Sequence, residues 1–485
     1  MAVARLGPTA DSGLLKVALF AAVVLLAGAA CFAGLSMETG SQLQVVLPLA
    51  GVVGLGLAVL AVKNFTVFLL VILVARASLD LTKVSPGLGA QAADPATRAL
   101  DPASMLGLLF LLMASLWLVA QHRSNQLVSG SLLRSALIAF VATGFLSVLG
   151  STETRLPSLL EAVRILSAVV MFIVLEQMMA KKENMRRLLM GVYLSTLFPL
   201  IVTTAGFIGS GPRQEVKGEF SRVVGPFAQS NTFGRYLMLI LIFGVAIYPY
   251  LERGYRRLFA FILPASAYFL VLTLTRSALI AAVLGFVVVA IAQGKPLLVG
   301  VIILGAASLL FVPQIGARFG VLSEQDPAAA AAPNSVDWRV DHWTSVLPLF
   351  GSSPITGIGW SNIARLSDNE AQSHNDFVRA LVETGVFGFL TYLAVLTAII
   401  VVGRRSLAAA PQATLERGVA AGFLGCGVAF ISASVVANII SNVVTMWYFF
   451  AFAAAASSVA RRHKGHTSDP EAPQGIARLP VGSRE

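Results

Sequence analysis

The chain has 485 residues, 56% of them hydrophobic and only 12% charged, and its mean hydropathy is +0.80. These values exclude an ordinary water-soluble globule, in which about a quarter of residues are charged. The formal charge of +11 is therefore read as a membrane-topology signal and not as a nucleic-acid surface.

A helix needs about 20 mostly apolar residues to cross a bilayer. Such stretches recur 14 times, at about 14–35, 43–62, 65–79, 104–121, 132–150, 157–180, 186–209, 232–250, 256–275, 276–293, 296–312, 380–402, 416–438 and 440–459. The spacing predicts an all-α polytopic membrane bundle of about 14 (12–14) transmembrane helices. It forms a single domain over 1–460, with a disordered cytoplasmic tail over 461–485. The first stretch reads as a retained signal anchor, because Gly28 stands where a lipoprotein cleavage site wants a branched apolar residue. The third is the shortest, and losing it would reverse the first two loops.

Short loops rich in Lys and Arg stay in the cytoplasm. Lys63, Arg123 and Arg134, the Lys181–Arg187 cluster, Arg253 to Arg257, Lys295, and Arg404 to Arg417 all alternate to one side, which places both termini in the cytoplasm. Three longer segments then lie outside, at about 80–103, 210–231 and 313–379. The last is the long extracytoplasmic loop, whose Ser323–Ser335 portion is low-complexity.

Cys31 and Cys426 fall in apolar stretches, where a thiol is a small hydrophobe. No metal-ligand spacing occurs; Asp337 with Asp341, or Asp368 with Glu370, reads as solvated loop surface. A phosphate-binding glycine loop and a dinucleotide fingerprint are also missing, so neither metal nor cofactor is expected.

His122, His463 and His466 sit in basic membrane-flanking clusters, which leaves His342 and His374 outside. Ser373 and Asp376 have capping-box spacing, which predicts Ser373 as N-cap and His374 and Asn375 in the first turn of the twelfth span. Two readings stand for this start: an anion site at the positive helix end, or a plain capped helix with Arg379 pairing to Asp376 and Glu383. Arg276 lies in a tight apolar outer turn, where an arginine is costly unless it snorkels or meets an anion. Arg222 precedes Gly225-Pro226-Phe227 and a polar Gln229-Ser230-Asn231 that caps the eighth span. Arg164 and Arg235 lie near the outer ends of their helices. Arginines converging on one outer pocket would clamp a diphosphate; singly, each is an interfacial anchor. Trp338, Arg339, His342 and Trp343, followed by Gly357, Gly359 and Trp360, offer rings for sugar stacking, although Trp also belongs at membrane interfaces, the preferred reading here.

Together these segments resemble the O-antigen ligase and polymerase superfamily of bacterial envelope glycosyltransferases. The resemblance runs over roughly 155–400. It is carried by Arg222 through Asn231, the Leu274-Thr275-Arg276-Ser277 turn, and Arg339 with Trp343. Gly357-Ile-Gly359, then His374-Asn375, then Glu383-Thr-Gly385-Val-Phe-Gly388 complete it.

The resemblance implies transfer of a glycan from an undecaprenyl-diphosphate-linked donor to a lipid core, a growing polysaccharide or a protein hydroxyl. It places the reaction on the outer face of the bacterial inner membrane, without metal and with inversion. By the same resemblance His374 and Asn375 are catalytic, Arg222, Arg276 and Arg339 bind the diphosphate, and Trp338, Trp343 and Trp360 contact sugar or acceptor. The rival class is a lipid-linked oligosaccharide flippase or other multi-pass transporter. Transporters concentrate polar residues near the bilayer midplane, whereas here they sit at outer ends and in loops.

Overall fold

The computed structural model describes residues 42–80, 102–151, 155–209, 211–217, 220–295, 297–309, 313, 316, 336–367 and 371–467. The predicted first span, most of the 80–103 and 313–335 segments, the Asp368 and Glu370 pair and the tail beyond 467 lie outside these residues.

Apolar runs become helices wherever the sequence supplies them. In chain order they are α1 (Gln42–Lys63), α2 (Phe65–Leu79), α3 (Pro102–Arg123), α4 (Leu132–Gly150), α5 (Arg155–Met178) and α6 (Lys182–Ile208). A two-stranded antiparallel hairpin, β1 (Gln214–Lys217) and β2 (Phe220–Val223), interrupts the helices, with Glu215 opposite Arg222. There follow α7 (Ser230–Ile247), α8 (Arg253–Leu272), α9 (Arg276–Ala292), α10 (Leu297–Leu309), α11 (Val336–Val346), α12 (Ile363–Leu366), α13 (Asp376–Ala409), α14 (Leu415–Ser434) and α15 (Val443–Thr467). Thirteen predicted spans thus have a helix. Among the described residues nine helices are long and apolar enough to cross a membrane, and four apolar helices are shorter. The chain is a helical polytopic membrane protein.

The short third stretch, α2, has 15 residues, nearly all buried, and at 1.5 Å rise per residue it spans about 22 Å. It is a core helix held at its end by an Arg76–Asp80 ion pair of 2.9 Å. Burial identifies the centre of the bundle: 89% of the α15 window is buried against 22% of that of α3. Close crossings depend on small residues, which let helix backbones approach where lipid supplies no hydrophobic drive. A methyl on Gly425 of α14 would lie 2.7 Å from the Gly285 carbonyl of α9, and one on Gly422 would lie 3.0 Å from the Phe243 ring of α7.

The bundle has two chemically different ends. At one, Arg134 and Arg461 bind Glu176 at 2.7 and 3.1 Å, and Lys182 pairs with Glu416 and Arg186 with Glu252, both at 2.6 Å. Arg186 holds the Glu252 carboxyl below its ordinary range. The opposite end carries the hairpin, the 273–276 turn, α11 and the starts of α7, α13 and α15.

α13 is two helical segments joined across a kink at Gly385 (φ 68°, ψ −171°). That break receives the 354–359 loop by main-chain bonds: Val386 N–H to Pro354 O at 2.9 Å, Ile358 N–H to Val382 O at 3.1 Å, and Gly359 N–H to Glu383 O at 3.0 Å. Any Cβ at Gly357 or Gly385 would collide with the facing backbone, and both have positive φ. The two glycine motifs are therefore halves of one backbone lock. Gly385→Ala is expected to lose on the order of 2 kcal/mol or more. The measurement is thermal unfolding of the detergent-solubilised protein; an unchanged midpoint would refute the lock.

Candidate functional site

The site is built from helix starts. Asn375, not Ser373, is the N-cap of α13: its Oδ1 accepts from Phe377 N–H at 2.8 Å and Val378 N–H at 3.2 Å. The capping box fails because Asp376 is used elsewhere, its Oδ2 accepting from Ile439 N–H at 2.9 Å and Ile440 N–H at 3.4 Å. His374 therefore precedes the helix, half-buried, with φ 50°. A histidine in the left-handed region is uncommon and costs energy that its surroundings must repay. Asn438 contributes to this, its Oδ1 accepting from Asn375 N–H at 3.0 Å and from the Ser373 hydroxyl at 3.2 Å.

A second strained turn leads to Arg276. Leu274 has φ 47°, and α9 begins two residues later, so half-buried Arg276 stands at its first position. Arg222 fixes this turn, donating from Nε to Thr273 O at 2.9 Å and from Nη2 to Thr275 Oγ1 at 3.0 Å and Asn231 Oδ1 at 2.6 Å. Expected to reach outward to a diphosphate, Arg222 is instead 2% exposed, with these donors committed to its own chain. Gln229 makes no side-chain cap for α7; Glu215 of the hairpin does, accepting from Ser230 N–H at 3.1 Å and its hydroxyl at 2.8 Å.

α11 lies over the His374 segment. Trp338 stacks on His342 at 5.0 Å and approaches the His374 ring at 6.4 Å, while Trp343 Nε1 donates to Ser373 O at 2.7 Å. Arg339 Nη1 donates to Val436 O at 3.3 Å. Trp360, expected among the sugar-contacting rings, is 1% exposed, beneath the Arg379 guanidinium at 5.2 Å and edge-on to Phe140. Its aromatic surface serves the core, because the backbone lock pulls the 357–363 loop inward.

Arg235 joins these parts. It is 8% exposed and lies in electrostatic reach of Asp376, Arg339 and Arg222, yet among the described residues it makes no hydrogen bond or ion pair. A buried guanidinium without a partner is expensive, and three arginines near one another add repulsion. Such an arrangement suits an anion.

Residues 259–393, from α8 into α13, match the Wzy_C family, described as O-antigen ligase. The match supports membership of the chain in the O-antigen ligase superfamily. It includes Arg276, Arg339, His374, Asn375 and both halves of the backbone lock, while Arg222 and Arg235 lie outside it. No curated protein matches the chain.

Apart from Trp360, the expected site residues divide into two groups. His374, Arg276, Arg339, Trp338 and Trp343 gather at one end of the bundle; Arg222 and Asn375 support them from beneath. The sequence reading passed over Asn438, although the polar Asn438-Ile-Ile-Ser-Asn442 break between two apolar runs marks a loop with work to do. The pairing of Arg379 with Asp376 does not form; its carboxylate partners are Glu383 at 2.7 Å and Glu161 at 3.2 Å.

Burial holds the His342 imidazole below its ordinary pKa, partly offset by the nearby backbone of Ala371 and Gln372, and neither ring nitrogen has a well-aligned hydrogen-bond partner. The unfolded segment therefore takes up a proton first, so the stability contribution is full above about 6.5 and is lost as pH falls toward the lower folded value. Amide exchange in α11, corrected for its intrinsic rate, should accelerate between about pH 7.5 and about pH 5.5 in wild type. It should do so much less in His342→Phe; equal acceleration in both would rule out this histidine as the cause.

Proposed function

We propose that the protein transfers a glycan from an undecaprenyl-diphosphate-linked donor to an acceptor hydroxyl. The reaction takes place on the outer face of the bacterial inner membrane, with both termini in the cytoplasm. One observation supports the reading: Arg235 is buried and among the described residues makes no hydrogen bond or ion pair, with Asp376 in electrostatic reach but Arg222 and Arg339 also near, at the end of the bundle that bears Arg276 and His374. A cation held in this way at rest is stabilised when a substrate brings the counter-charge. The orientation follows from the basic clusters at the other end, which remain in the cytoplasm.

The chemistry asks little more of the chain. Diphosphate is a good leaving group, and guanidinium groups neutralise the charge it gains as the anomeric C–O bond breaks. Arg276 and Arg339 receive the diphosphate with Arg235, while Arg222 positions Arg276 through the turn it binds. His374 accepts the acceptor's hydroxyl proton as the new C–O bond forms, the part of a general base. Asn375 steadies the helix start on which His374 stands, and Trp338 and Trp343 border the same space for sugar or acceptor. Attack opposite the departing diphosphate inverts the anomeric configuration. The acceptor is a lipid core, a growing polysaccharide or a protein hydroxyl, and reconstitution with a defined donor and each acceptor distinguishes these.

His374→Ala and Arg276→Ala should each lower transfer by roughly 10²–10⁴-fold, with loss of surface glycan and accumulation of lipid-linked precursor. Wild-type glycan in both, at normal expression, would exclude the catalytic reading. Arg235→Met gives a sharper expectation: transfer is lost, yet the purified protein melts no lower than wild type, because a costly unpaired charge has gone. A lowered midpoint with activity retained would instead make Arg235 structural.

A further inference from the structure

The basic end contains a cavity of about 710 Å³ between the ends of α4, α13 and α15. Its wall combines Arg405 and Arg461 with Gly130 and Ser131 at the start of α4 and the side chains of Leu132 and Ser457. None of these belongs to the transfer site, which lies at the opposite end of the same helices.

Charge on this wall is unbalanced. The Glu176 carboxylate is buried and receives both Arg134 and Arg461, so one carboxylate faces two cations. Arg405 is exposed, and among the described residues no carboxylate pairs with it. Independently, Ser457 is 1% exposed and its hydroxyl has no hydrogen-bond partner. The first turn of α4 adds main-chain N–H groups and the positive end of a helix dipole. Apart from Ser129 the remaining lining, Val402, Ala408, Ala409 and Ala460, is apolar, and Leu132 and Ile138 of α4 are about half exposed, at 46% and 50%. On a membrane-spanning helix such a face meets lipid. A wet phosphate would gain nothing from that apolar side.

We infer that this cavity binds the phosphate headgroup of an anionic phospholipid from the leaflet at the basic end, with its glycerol and upper acyl chains against α4. Basic pockets between spanning helices take anionic headgroups in this way. The ligand would bridge α4, α13 and α15. At its far end α13 is capped by Asn375 and α15 follows the Asn438 loop, so occupancy would brace the bundle without entering the reaction.

The test uses the full chain in nanodiscs of mixed phosphatidylglycerol and phosphatidylcholine, with retained lipid measured by native mass spectrometry during detergent exchange. Arg405→Gln removes one cation from an exposed position and should lower phosphatidylglycerol retention about fivefold, the weight of one basic residue at an anionic surface. Ala408→Trp fills the cavity without changing charge and should lower it at least as much, with phosphatidylcholine unaffected in both. Unchanged phosphatidylglycerol retention in Arg405→Gln would overturn the inference, and that variant decides should Ala408→Trp fail to fold. Inorganic phosphate alone, added to delipidated protein in a melting assay, separates the other source. Stabilisation by phosphate without preferential retention of phosphatidylglycerol would assign a free-anion site and reject the lipid.

Discussion

The buried guanidinium of Arg379 is the constraint on which the active end depends. At 2% exposure it donates from Nε to Glu383 one turn further along α13, and from Nη2 to Glu161 of α5. Arg164 also binds Glu161, at 3.3 Å, so two cations meet two carboxylates. Glu383 then accepts from Ile363 N–H, and Ser361 lies 3.4 Å from the guanidinium. A charge cluster so deep in an apolar bundle costs desolvation that only close, complete pairing repays. Its geometry fixes α13 against α5 and against the loop bearing Trp360, and Arg379 N–H bonds Asn375 O, so the cluster lies one turn beneath the N-cap that carries His374.

Strain above that base is tolerated because the base is rigid. His374 and Leu274 both occupy left-handed backbone positions, each two residues upstream of a helix start, at Asp376 and at Arg276. Both turns are held by side chains remote in sequence, Asn438 for one and Arg222 for the other. A helix start pre-aimed in this way needs little reorganisation when a charged substrate arrives. Arg235, which among the described residues makes no hydrogen bond or ion pair, adds an electrostatic cost at the same end.

The two ends divide the work. At the basic end, carboxylates are matched by arginines and lysines, and the excess positive charge faces the bilayer surface. At the other, Arg222, Arg235, Arg276 and Arg339 lie among helix starts and a hairpin. The long spans between them, with glycines at their crossings, hold these two environments a bilayer apart.

The sequence by itself determined the membrane architecture, because apolar run length and basic-loop alternation are local quantities that lipid reads directly. Its motifs also singled out His374, Arg276 and Arg339, which the fold then brings to one end of the bundle. Helix termini depended on competition between neighbours: Ser373 and Asp376 have the spacing of a capping box, yet Asp376 is claimed by the Ile439–Ile440 backbone and Asn375 takes over. Only the tertiary structure decided that Trp360 is core, that Arg222 holds a turn, that the glycine motifs interlock, and that Arg235 makes no hydrogen bond or ion pair among the described residues. Each of these turns on which residue far along the chain arrives opposite. Packing decides that, and no local pattern of residues records it.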